Sequence, residues 1–179
     1  MSLTINRLGG SLGAEVIGLD ISKDPANEDL DQVHQAWLDH SVLVMRDQQI
    51  APEQQLAFAR RFGVARPHHL SPNRHPDYPE MLVVSNERRK DGGGTRGSGQ
   101  HWHSDYSYLE GRSTASILRA IQIPSVGGDT LFASAYLAYE TLSDTMRDIL
   151  SGLMVTYDYS LVYQRYYKDR KDRVQLTDE

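Results

Sequence analysis

The apolar residues of this chain come in short runs broken by glycine and proline, and no regular alternation of strand-length and helix-length segments links them. That pattern limits the fold more than any other feature. Regular alternation would specify a parallel α/β sheet, whereas successive strands interrupted by short helices specify an α+β fold or a barrel with appended helices. The opening "LTINRLGGSLGAEVIGLDIS" alternates on either side of a Gly-rich turn and predicts strands over residues 3–7 and 14–18. Asn27 is placed to cap a helix over residues 28–40, with Leu30, Val33, Trp37 and Leu38 on its inward face. "SVLVMRD" predicts a buried strand at residues 42–45. In "APEQQLAFARRFG", Pro52 suits the first helical position and Gly63 the left-handed position after the end, giving a helix over residues 52–62.

The second half repeats the pattern with weaker signals. Residues 64–78, rich in proline and histidine, read as a structured loop, and "MLVVSN" as a strand over residues 81–86. Residues 87–99 are charged and Gly-rich, the composition of a flexible loop. No Gly-Lys-Ser/Thr follows, so the loop lacks the signature of a phosphate cradle. "TASILRAIQIP", residues 114–124, alternates like a strand, and residues 130–132 and "LMVTYDY" predict further short ones. Ser134 and Ser143 are placed to cap helices over residues 135–142 and 144–150, with Gly152 ending the second. Residues 164–179 alternate charges without an apolar stripe and read as a solvated, poorly ordered tail.

Composition narrows function. The 179 residues suit a single domain, and a net charge of −5 gives no general attraction to nucleic acid or to anionic membranes. No apolar run approaches the ~20 residues that span a bilayer, and the start has no secretory signal, so a cytoplasmic location is expected. Cysteine is absent, which removes disulfides and thiolate metal sites. Any metal centre must be built from His, Asp and Glu, a donor set suited to iron, zinc or manganese.

Those residue types concentrate in "GQHWHSDYSY", where His101, His103 and Asp105 stand at alternate positions. In a strand, residues two apart share a face at about 6.6 Å, close enough for both side chains to reach one ion. Residues four apart are about 13 Å apart, so without a sharp turn only two of the three converge. The pair His101 and His103 resembles part of the H-x-H-x-D-H motif of metallo-β-lactamase-type hydrolases, but Tyr106 stands where its last histidine would be. The pair His103 and Asp105 resembles the H-x-D half of a facial triad of two histidines and a carboxylate on non-haem Fe(II). A polar surface strand without metal is the plain alternative.

The surrounding residues make the second resemblance specific. "WHSD" is followed by "SILRAIQIPSVGGDTLFAS" and "AYETLSDTMRDILSGL", and preceded by "LGGSLGAEVIGLDIS" and "HSVLVMRDQQIAPEQQLAFARRFG". In order and spacing these resemble the TauD/TfdA family, the taurine-dioxygenase-like Fe(II)/2-oxoglutarate-dependent oxygenases, over nearly everything from Leu8 to Tyr159. The resemblance implies one domain over residues 1–179, with a double-stranded β-helix (jelly-roll) core and flanking helices. It implies His103 and Asp105 as Fe(II) ligands and Thr130, in "GGDT", as a hydroxyl donor to 2-oxoglutarate. His68, with His69 as the alternative register, falls near the family's substrate-contacting histidine. His101 is an extra histidine that either lines the substrate pocket, supports the ligands from behind or faces solvent. Trp102 and Tyr106 are expected to pack on the opposite face as core.

The implied reaction consumes O2 and 2-oxoglutarate, releases succinate and CO2, and hydroxylates a small, anionic organic substrate: a sulfonate, sulfate ester or aryloxyalkanoate. Taurine itself is disfavoured, because Gly99 and Gln100 stand where taurine-specific members carry an asparagine. No histidine follows His103, whereas the family's second iron histidine, and an arginine for 2-oxoglutarate, come far downstream. The expectation is therefore a chain truncated before the last barrel strands, with weak or no activity alone. The alternatives are a zinc hydrolase using His101 and His103, or a degenerate, non-catalytic jelly-roll fragment. The oligomeric state, a homo-oligomer included, is left open by the sequence.

Overall fold

In the computed structural model, residues 3–67, 74–85, 99, 101–111 and 113–162 are described. They fall into two compact units: Met1–Phe62 with Leu118–Met154, and Gly63–Ile117 with Val155–Glu179.

The first unit begins with a hairpin. Strand β1 (Thr4–Arg7) pairs antiparallel with β2 (Ala14–Ile17), in the register Thr4↔Ile17 to Arg7↔Ala14. Leu8 N–H donates to the Gly13 carbonyl at 2.9 Å and closes the turn, where Gly13 takes φ +92, a value that favours glycine. Along β2, Ala14 and Val16 turn inward while Glu15 and Ile17 face out, the period-2 pattern of a half-buried strand. Strand β3 (Leu43–Val44) joins β2 in parallel, giving a sheet in the order β1-β2-β3.

Helix α1 (Asn27–His40) connects β2 to β3 and buries Leu30, Val33 and Ala36. Leu38, expected inward, is 59% exposed. It lies five residues beyond Val33, roughly 140° round the helix at 3.6 residues per turn. Asn27 does not cap the helix. Ala26 holds that position, and Asn27 Oδ1 instead accepts from Arg61 Nη2 at 2.5 Å. Helix α2 (Pro52–Arg60) starts on proline as expected, and Gln54 Oε1 accepts from the Ala51 N–H at 2.7 Å, satisfying a donor that the helix leaves free. It stops earlier than residue 62: Arg61 is the cap and has right-handed backbone, so the end does not use Gly63 in a left-handed conformation.

Leu3, Val16, Leu19, Ile21, Leu30, Val33, Ile50 and Phe58 form the core between sheet and helices. Gln48 locks its rim: Oε1 accepts from the Ile21 N–H, and Nε2 donates to the carbonyls of Leu19 and Arg46, all within 3.0 Å. In this unit α3 (Ala135–Glu140) and α4 (Asp144–Ser151) follow the predicted caps, with Ser134 Oγ accepting from Leu137 N–H and Ser143 Oγ from Met146 N–H.

The expected later strands are not formed among the described residues. Residues 114–124 and 130–132 carry no strand, and Ile121 and Ile123 are 85% and 74% exposed. A strand exists only when a neighbour takes its N–H and C=O groups, and alternation alone supplies no neighbour. Residues 81–85 show one bridge, Arg74↔Leu82, in place of a strand, and residues 153–158 are irregular before α5 (Tyr159–Val162). The described residues thus make an α+β arrangement with a small sheet, and the jelly-roll barrel is not closed within them. Among them no helix is long and apolar enough to cross a membrane. Of the loop expected over residues 87–99 only Gly99 is among the described residues, and the tail over residues 164–179 lies outside them.

Candidate metal centre

His103 and Asp105 belong to the second unit. They do not lie on a strand. Residues 102–104 are irregular, and residues 105–108 form a turn in which Leu109 N–H donates to the Tyr106 carbonyl at 3.1 Å. Tyr106 takes φ 56, left-handed backbone that a bulky side chain rarely adopts. The chain therefore turns immediately after Asp105.

The imidazole is fixed from behind. His103 Nδ1 lies 2.8 Å from the carbonyl oxygen of His101. A carbonyl only accepts, so Nδ1 carries the proton and donates. In the neutral ring the lone pair then sits on Nε2, the nitrogen free to bind a cation. The carboxylate is fixed in the same manner: Ser116 Oγ donates to Asp105 Oδ2 at 2.5 Å. What remains are His103 Nε2 and Asp105 Oδ1, facing each other at 3.4 Å, with side chains 47% and 51% exposed.

With its Nδ1 proton engaged, a neutral His103 leaves Nε2 as an acceptor facing the acceptor Oδ1, a pair that would hold a divalent cation. An imidazole nitrogen with a carboxylate oxygen suits Fe(II), Mn(II) or Zn(II). Among the described residues no group of three His, Cys, Asp or Glu assembles, so two protein donors converge here and not three.

The remaining candidates are placed differently. His101 contributes its carbonyl, while its half-buried ring stands tilted beside that of His103 at 5.5 Å between centroids. Trp102 is 69% exposed and is not core, which corrects the expectation for it, and Tyr106 is half-buried. Loss of the strand explains the first: without a second face to pack on, alternation no longer sends Trp102 inward. The ring of Tyr106 lies nearly parallel to that of Tyr108 at 6.5 Å, and Tyr108 packs on Tyr159 at 4.9 Å. Burial first, and the Asp105 charge second, push the Tyr106 hydroxyl above its ordinary range; burial does the same for Tyr108, with its tyrosine neighbours adding to it. Both phenols therefore stay protonated at neutral pH. Thr130 belongs to the first unit and is exposed on an irregular segment after Gly127 and Gly128, both left-handed at φ +74 and +79. His68 and His69 lie outside the described residues. Ser116 was not singled out from the sequence; the available signal was a lone hydroxyl in the apolar run "ASIL".

Comparison with known proteins bears on what such a centre belongs to. Pentalenolactone F synthase of Streptomyces arenae is 34% identical over 170 residues, which cover 92% of this chain and 56% of that protein. The alpha-ketoglutarate-dependent sulfate ester dioxygenase of Pseudomonas putida is 31% identical over 166 residues, covering 89% of this chain and 52% of that protein. Among solved structures, a taurine dioxygenase from Burkholderia xenovorans is similar with a TM-score of 0.64 and 26% identity, over 85% of this chain and 52% of that one. The chain thus spans about half the length of the curated relatives it matches. The family described as taurine catabolism dioxygenase TauD, TfdA matches residues 4–178, nearly the whole sequence, and the chain belongs to that family.

Proposed function

We propose that this chain carries the first two protein ligands of a non-haem iron dioxygenase that uses 2-oxoglutarate and O2 to hydroxylate a small, anionic organic molecule. The observation that carries the reading is the pair of acceptors, His103 Nε2 and Asp105 Oδ1, held face to face at 3.4 Å with their other polar atoms already engaged. Family membership and the relatives' dependence on alpha-ketoglutarate support it. When bound, Fe(II) supplies the redox chemistry that couples decarboxylation of 2-oxoglutarate, to succinate and CO2, with hydroxylation.

The chain's own residues hold and orient. His103 offers Nε2 while its Nδ1 proton is engaged by the His101 carbonyl, so the ring cannot turn without losing that bond. Asp105 brings the negative charge that favours a divalent cation over a proton. Thr130 and His68 keep the roles that the family resemblance implies, a hydroxyl donor to 2-oxoglutarate and a substrate contact, while His101 supports His103 through its carbonyl. The substrate class, a sulfonate, sulfate ester or aryloxyalkanoate, is favoured by relatives named for sulfate esters, taurine and 2,4-dichlorophenoxyacetate. This reading places residues 1–179 in a single oxygenase domain of jelly-roll type.

An anaerobic titration with Fe(II) and 2-oxoglutarate tests this. A visible charge-transfer band should develop with the parent and disappear with His103→Ala. A featureless spectrum from the parent, or a band indifferent to His103→Ala, would sink the proposal.

A further inference from the structure

Asp105 differs from an ordinary exposed carboxylate in one respect: a single hydroxyl, 11 residues further along the chain, binds the oxygen that faces away from His103. We propose that Ser116 is a positioning residue for Asp105, holding Oδ2 so that the carboxylate presents Oδ1 alone to a divalent cation. This rests on the reading of His103 and Asp105 as metal donors.

The last torsion of an aspartate is broad and roughly two-fold, so an untethered carboxylate offers either oxygen, or both, to a cation. Offering both takes two coordination positions; offering one leaves a further position for a small molecule. A bond of 2.5 Å from Ser116 Oγ is at the short, strong end for a hydroxyl donating to a carboxylate. It occupies Oδ2 and sets the plane of the group, while the turn at Tyr106 sets where the group stands. His103 is held by an equivalent device, through the His101 carbonyl. Each donor is thus fixed through its non-ligating atom, as supporting hydrogen bonds commonly fix metal ligands.

Loss of such a supporting bond typically weakens metal binding 10–100-fold. Ser116 is exposed, and water replaces part of what its hydroxyl provides, so the expected loss is at the lower end, about tenfold. The test uses the full chain with Co(II) as probe, followed by visible absorption, for the parent, Ser116→Ala, Ser116→Thr and His103→Ala. Side-chain carboxyl ¹³C spectra of the metal-free proteins accompany it. Ser116→Ala should bind Co(II) about tenfold more weakly, with an altered visible spectrum, and should move the Asp105 carboxyl resonance. Ser116→Thr keeps the hydroxyl at an exposed position, and should restore affinity, spectrum and resonance. Parent-like affinity and spectrum in Ser116→Ala would overturn the proposal, and so would a threonine variant as weak as alanine. If the parent itself takes up no Co(II), the metal reading fails and the positioning role falls with it. That failure is distinct, because the carboxyl resonance still shows whether Ser116 holds Asp105.

Discussion

Replacing Tyr106 by alanine and by glycine separates the backbone of the turn after Asp105 from the ring that sits on it. At φ 56 a non-glycine residue carries about 1–2 kcal/mol of strain. The ring offsets it. A half-buried aromatic contributes about 1 kcal/mol from burial, and its pairing with Tyr108, 6.5 Å away, about 0.5–1.5 kcal/mol more. The two sides nearly balance, so the turn depends on the ring. In Tyr106→Ala the ring is gone and the strain remains. The backbone then prefers negative φ by about 1–2 kcal/mol, and the left-handed turn falls to a minor population. Relative to a parent near even balance, cation affinity falls about 3–15-fold. Tyr106→Gly also loses the ring, but glycine takes positive φ about as readily as negative, so its affinity stays close to the parent's. Co(II) titration of the three proteins, with circular dichroism as a check on the fold, gives the order parent, Gly, Ala. Equal affinity in alanine and glycine variants would refute the reasoning, since backbone strain would then have no bearing on where Asp105 stands.

Two further predictions concern the first unit. Phe58 is 5% exposed and meets Phe62 edge-on at 5.1 Å, so Phe58→Ala should cost about 3–5 kcal/mol in urea unfolding. A double-mutant cycle with leucine at both positions should return about 0.5–1.5 kcal/mol of coupling, and a zero coupling would show that the ring pair adds nothing beyond burial. Asp20 is held at about 2, below its ordinary 3.8, chiefly by the Lys23 ammonium and then by the Ser22 hydroxyl. Since folding favours the carboxylate, this contribution is present above 3.8 and is lost as pH falls through about 2. The Asp20 carboxyl ¹³C midpoint should therefore lie near 2 and rise toward 3.8 in Lys23→Ala; a parent midpoint at 3.8 would contradict it.

What the sequence made legible were elements whose cause is local. Pro52 marks a helix start, Ser134 and Ser143 supply side-chain caps, and the Gly-rich turn with alternation on both sides marks the first hairpin. Each depends on residues within a turn or two of one another. The strands expected over residues 114–124 and 130–132 do not form, for the opposite reason: their apolar alternation is real, but pairing depends on a neighbour far along the chain. Asn27 illustrates the same limit on a smaller scale, since Arg61, 34 residues away, takes the side chain that local rules assign to a cap. The site divides likewise. Spacing left two pairs open, and the resemblance carried by "WHSD" and "GGDT" chose His103 and Asp105; strand geometry was the wrong reason for their approach. The approach comes from a turn at Tyr106, a residue type that gives no warning of left-handed backbone, and from Ser116, whose contact spans 11 residues.

The most direct test of the central claim is a crystal of this chain soaked anaerobically with Fe(II) and examined by anomalous scattering at the iron edge. The account predicts a peak about 2.0–2.2 Å from both His103 Nε2 and Asp105 Oδ1, with Ser116 still bonded to Oδ2. A peak at other side chains, or none while both residues are ordered, would contradict it.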